Sequence, residues 1–231
     1  MIYELRFMKL LLLFLFIISF GNIHAQTKGT LSNHVCDSIQ YELLLVDNAD
    51  QAGRNQMDYI VKKYGWRSEE YDSLLVSIRT NDSIDLIKVE SIINQYGWLG
   101  ANRIGQEANT TLFMVIQHSD LKVQERYLPL MQEAVKKGNA RARDLALLED
   151  RVSLQQGKKQ IYGSQVSLNY KTNKRFVMPL EDPDNVDKRR ADVGLQPIAL
   201  YLRNFGIDWN VEEYKKELPS IEAAFFKHST Q

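Results

Sequence analysis

Residues 112–120 read LFMVIQHSD, an apolar run that ends in Gln117 and His118. The chain has four histidines, and this one stands alone in its middle, the obvious neutral-pH acid or base of the sequence. Three further blocks carry polar groups that could work with it. LEDRV sets Asp150 and Arg151 inside a core-facing pattern, and QIYGSQV gathers Gln160, Tyr162, Ser164 and Gln165 around Gly163. DPDNVDKRRADVG holds Asp182, Asp184 and Asp187 with Arg189 and Arg190. If the site is catalytic, His118 is the base, Asp150 or Asp187 orients it, and Arg151 or Arg190 holds an anionic group. The catalytic candidates are therefore His118, Asp150 and Arg151. The ligand-binding candidates are Gln117, Gln160, Tyr162, Gln165, Asp187 and Arg190.

Each candidate also has a purely structural reading. At a helix C-terminus, His118 meets a dipole that favours its charged form, which makes it a cap. A partly buried Asp150–Arg151 pair ties elements together through bidentate hydrogen bonds. The whole set could equally form one buried polar network that fixes packing.

Metal and cofactor chemistry find little footing. Asp182, Asp184 and Asp187 lack the spacing of an EF-hand loop, and Asp182 is explained as a helix cap. One cysteine and few histidines exclude the usual zinc sites. His-Glu-x-x-His, Gly-x-Ser-x-Gly, phosphate-loop and dinucleotide patterns are missing. We expect no metal and no cofactor.

The elements that would position these residues are mostly helical. Apolar residues Ile39, Leu43, Val46, Met57, Ile60 and Val61 recur at helical spacing over 33–63, although Gly53 weakens the middle and leaves one bent helix or two. Ser68, followed by Glu69 and Glu70, predicts a helix start and a short helix to about Ile78. Asn81 or Asp82 then caps another over 83–95, with Ile84, Ile87, Val89, Ile92 and Ile93 as its face. MDYIVKKYGW and VESIINQYGW form a small echo, in which Gly65 and Gly97 suit the residue just past a helix and the tryptophan folds back.

Gly105 opens the helix that leads to His118, apolar around most of its second half and therefore central. Asp120 caps the next, which Pro129 should kink or break and Gly138 should end. A further helix follows Asn139, with Ala142, Leu145, Leu148 and Val152 on one side. QVSLNY and RFVMPL flank the turn Lys171 to Lys174 and read as a hairpin. Asp182-Pro183 starts and Gly194 stops a short helix, followed by segments 197–205 and 211–227. The expected fold is mainly α: a helical domain with a small β-hairpin near residues 165–179.

Arg6 and Lys9 precede the apolar run Leu10 to Phe20, and NIHAQ offers cleavage after Ala25, so residues 1–25 read as a signal peptide and 26–231 as one domain. Met8 gives a more typical start for that signal than Met1. The expectation is export to the periplasm or beyond the cell. The run is shorter than the roughly 20 residues of a membrane span, and Cys36 is too far downstream to carry a lipid, so no stable membrane anchor is expected. With 29 basic and 29 acidic residues, the balance argues against a nucleic-acid partner, which normally requires a basic excess on at least one face. The partner left is a small molecule or peptide.

Asp50-Gln51-x-x-Arg54, Gln117-His118-x-Asp120, Asp150-Arg151-Val152, Gln160-x-Tyr162-Gly163-x-Gln165, Asp182-Pro183 and Val186-Asp187-x-Arg189-Arg190-x-x-Val193-Gly194-Leu195 follow one another in that order. This string resembles an uncharacterised bacterial family of unknown function whose members are often exported, and it covers about Leu43 to Tyr201. Ser164 stands where a threonine is expected, which keeps the hydroxyl. The resemblance carries no activity to transfer. It implies that the blocks share one polar centre, where the end of the central helix, the Asp150 helix, the hairpin entry and the Asp182 helix meet.

Overall fold

The computed structural model describes residues 31–169, 172 and 174–228. The proposed signal peptide, with Met1, Met8 and Ala25, lies outside them, as do Lys171 and Asn173 of the hairpin turn. Contacts divide the chain into a stretch ending at Val35 and a compact unit from Cys36 onward. Of the first, residues 31–35 are described, the lead-in to a helix.

The architecture is mainly α with one small antiparallel hairpin, as the periodicity predicts. Two helices, α1 (Asn33–Arg54) and α2 (Met57–Tyr64), divide the 33–63 segment. Gly53 lies against α3 (Glu69–Tyr96), where a side chain at that position would meet Ile78 at 2.6 Å. Close approach of two helices, rather than flexibility, is the reason for this glycine.

The single helix α3 replaces the two expected between Ser68 and Tyr96. Ser68 does cap it, its Oγ accepting from the Tyr71 amide at 3.1 Å. The polar stretch at 80–83 does not interrupt it. Thr80 and Ser83 turn their hydroxyls back onto the Val76 and Arg79 carbonyls at 2.9 Å each, and Asp82 is held by Arg54; side chains satisfied in this way no longer compete with the helix. The buried side of α3 is also rotated from the expected one: Ile78, Asp85, Val89, Ile92 and Ile93 face inward, whereas Ile84 and Ile87 are exposed.

Gly65 and Gly97 end α2 and α3 at φ 94° and 73°. Trp98 folds back to be buried, and Trp66 stays partly exposed, edge-on to Tyr71. A short α4 (Ala101–Ile104) and Gly105 lead into α5 (Gln106–His118), the central helix, which packs against α3, α4, α6 (Leu121–Lys136) and α7 (Ala142–Gln155). Leu112 and Ile116 are wholly enclosed, with Leu43, Val46, Val89, Met131 and Leu148 from the surrounding helices. Asp120 caps α6 through the Val123 amide at 2.9 Å, and the helix runs through Pro129 without the expected break. Its packing on α7 outweighs the lost backbone bond. On α7, Leu148 and Val152 are buried while Ala142 and Leu145 are only half so.

A second, smaller core carries the rest. Strands β1 (Val166–Asn169) and β2 (Lys174–Val177) pair from Val166↔Val177 to Asn169↔Lys174. Val177, Leu180, Val186, Ile198, Leu202 and Tyr214 cluster beneath them. They join the hairpin to α8 (Val186–Asp192), α9 (Ile198–Arg203) and α10 (Val211–His228). Asp182 does not cap as expected: it is left-handed at φ 39°, its carboxylate takes the Asn185 amide, and Pro183–Asn185 form a 3-10 turn before α8.

Candidate functional site

The last turn of α1 puts Asp50 and Arg54 four residues apart on one side, where they meet the middle of α3 and the end of α5. Asp50 is 2% exposed, and its Oδ1 lies 2.8 Å from Nδ1 of His118. Gln51 donates to its Oδ2 at 2.7 Å, and Arg54 Nη1 approaches Oδ1 at 3.1 Å. Arg54 reaches on with Nη2 to Asp82 on α3, at 2.9 Å from Oδ1 and 3.0 Å from Oδ2. Burial alone would raise the Asp50 carboxyl; the His118 hydrogen bond and the charges of His118 and Arg54 outweigh it and hold the group below its ordinary range.

An ionised carboxylate can only accept, so in the neutral form of the imidazole it places the proton on Nδ1. That leaves Nε2 as the basic nitrogen. It has no partner among the described residues, and the side chain keeps 16% of its surface open.

Three other groups on the surrounding helices have unfilled valences. Asp85, one turn from Asp82 on α3, is 1% exposed; Lys88 comes only to 3.7 Å of its Oδ1, and its Oδ2 is buried with no hydrogen bond. Burial, with Asp50 and Asp82 nearby, pushes its carboxyl up. Arg151 makes no hydrogen bond or ion pair among the described residues, and its Nε is buried. Burial draws its guanidinium down, Tyr201 opposes this, and the like charge of Arg54 adds to it. The side-chain oxygen of Gln117 is also buried without a donor. Asp50, Asp82 and His118 offer ligand atoms within 4.8 Å of one another, close enough to share a cation; the positive charge bridging the two carboxylates is Arg54. The Asp182, Asp184 and Asp187 set forms no such group among the described residues.

A second polar centre lies at the junction of α7, the hairpin entry and α8. Asp150, fully buried, accepts the backbone amides of Ile161, Tyr162 and Ser164 at 2.6, 2.9 and 2.9 Å. Gly163 sits at φ 67°, and a Cβ there would come within 2.7 Å of Ile198, so the turn requires glycine. Arg190, also buried, donates to the carbonyls of Tyr162 and Gln196 at 2.6 and 2.7 Å and lies over the Tyr201 ring. Gln160 spans Gln165 and Met178, and Arg189 ties Ile161 to Glu181 and Asp182. Asp187 takes the Ile198 amide at 2.6 Å and so caps α9.

The predicted residues therefore divide. The carboxylate that His118 meets is Asp50, not Asp150 or Asp187. Asp150, Gln160, Gln165, Asp187 and Arg190, with the backbone of Tyr162, are committed to holding the 160–165 turn and its neighbours. The single shared centre implied by the family resemblance is two. Arg151 lies between them electrostatically, feeling Tyr201 of the second centre and then Arg54 of the open one, while Gln117 adjoins His118 in sequence and gives its carbonyl to Gln124 at 3.0 Å. Asp50, Gln51 and Arg54 were visible only as the Asp-Gln-x-x-Arg block, and Asp82 read as a helix cap; nothing local distinguishes an inward carboxylate of α3 from an outward one.

No curated protein and no solved structure matches the chain. No helix of the described residues is long and apolar enough to cross a membrane. Residues 37–211 match the model of DUF6624, a family of unknown function, and both polar centres fall within that span: the chain belongs to this family.

Proposed function

We propose that this is an exported protein, periplasmic or extracellular, that binds a small anionic molecule or peptide at His118 and acts on it by acid–base, hydrolase-type chemistry. The observation that carries this reading is the 2.8 Å bond from His118 to a buried, ionised Asp50, which leaves Nε2 open. A base so held can take a proton from water and return it to a leaving group. Gln51 and Arg54 keep the carboxylate ionised and fixed. Arg151, cationic and without a partner, supplies the grip for an anionic group of the ligand. The near-neutral charge balance supports a small ligand over nucleic acid.

A panel of chromogenic phosphate and carboxylate esters and short peptides tests the reading. Turnover by the wild type should fall about 10²- to 10⁴-fold in His118→Asn and in Asp50→Asn, the usual worth of a positioned base. Arg151→Met should act mainly on KM. Equal rates in wild type and His118→Asn, for every substrate turned over, overturn it.

A further inference from the structure

Away from His118, the hairpin and α10 enclose a groove of about 900 Å³, near the upper end of the roughly 300–1,000 Å³ of small-molecule sites. Its walls are mostly apolar. Phe176, Met178 and Pro179 line the hairpin side, and Ile221, Ala224 and Phe225 the helix side. Lys174 and Arg175 stand at the turn end of β2, both exposed. Neither has an ion pair or side-chain hydrogen bond among the described residues; Arg175 has only the Phe205 ring, 5.9 Å away. Glu217, on α10, is the one acidic group in the lining and is exposed.

An apolar slot that begins at two unneutralised cations is complementary to a ligand with a long apolar tail and one anionic head. We infer that the groove between the hairpin and α10 binds a free long-chain carboxylate, its head on Lys174 and Arg175 and its tail along Phe176, Met178 and Ile221. From residue 174 to 179 the extended chain covers about 17 Å at roughly 3.3 Å per residue, room for a long acyl chain laid beside the strand. A peptide added to a strand edge would use backbone bonds and be indifferent to these two side chains. The site is independent of His118.

Titration calorimetry with oleate, and with oleyl alcohol as the same tail without charge, tests the inference on the full chain. Oleate should bind with one-to-one stoichiometry and oleyl alcohol far more weakly. Lys174→Glu combined with Arg175→Glu should weaken oleate about tenfold or more, the loss of a charge-assisted pair, and leave oleyl alcohol unchanged. Ile221→Trp, which fills the slot from the helix side, should abolish both; the substitutions are at exposed or half-buried positions, and circular dichroism of each variant checks the fold. Oleate binding no tighter than oleyl alcohol, oleate binding insensitive to both changes, or association only with phosphatidylglycerol vesicles and not with free oleate each overturns it.

Discussion

The protein holds two polar centres, each built on a buried carboxylate and of opposite finish. Around Asp150, a carboxylate receives three backbone amides and a buried arginine gives its guanidinium to two carbonyls. Around Asp50, a carboxylate is just as enclosed, yet Asp85 Oδ2 beside it and Gln117 Oε1 next to His118 in sequence are buried without partners among the described residues, and His118 Nε2 is open. Buried polar groups are normally satisfied, since each orphan costs about 1–3 kcal/mol. A centre that keeps several open is held at a cost to stability, which is a mark of function more than of scaffold. The difference teaches that burial and charge do not by themselves identify a site; the state of the hydrogen-bond valences does.

The largest expected effect breaks the scaffold side. Asp150→Ala leaves three amides, one buried and two partly so, without an acceptor and should cost about 3–5 kcal/mol in urea unfolding. A loss below 1 kcal/mol would mean the turn is held by something else. On the open side, Arg54→Met removes the bridge between Asp50 and Asp82 and leaves two carboxylates facing one another, so a loss of about 2 kcal/mol is expected by the same measurement.

Asp85→Asn should go the other way, stabilising by about 1 kcal/mol at neutral pH by removing a buried charge with an empty valence. The pH dependence sharpens this. Asp85 holds its proton more tightly folded than unfolded, so its penalty is full above the folded pKa and fades as the pH falls toward the unfolded value of about 4. The advantage of Asp85→Asn should shrink across that window, and an advantage independent of pH would rule out charge burial as its cause. The smallest effect is expected for His118→Ala, within about 1 kcal/mol of wild type, because Asp50 retains Gln51 and Arg54; a loss as large as that of Asp150→Ala would make His118 scaffold too.

The sequence made the helical class, the hairpin and most helix ends legible, because these rest on local chemistry: Ser68 and Asp120 as caps, Gly65 and Gly97 past helix ends. It misled where tertiary contacts override local preference. Thr80 and Ser83 bond backward and let α3 run on, and Pro129 is carried within a packed helix. The site was half legible. His118 was identified from an apolar run that stops abruptly, but its partner lies 68 residues earlier on another helix. Asp150 and Asp187 looked suitable and Asp50 stood out only as part of a motif, since only the fold shows that amides from residues 161–164 occupy Asp150.

Asp50 is to keep the Nε2 of His118 free as a base. The long-range nitrogen–proton NMR spectrum of the histidine side chains, recorded at a pH where the imidazole is neutral, reads this directly. The account predicts the proton of His118 on Nδ1, with that preference lost in Asp50→Asn. A His118 proton on Nε2, unchanged by Asp50→Asn, would contradict it.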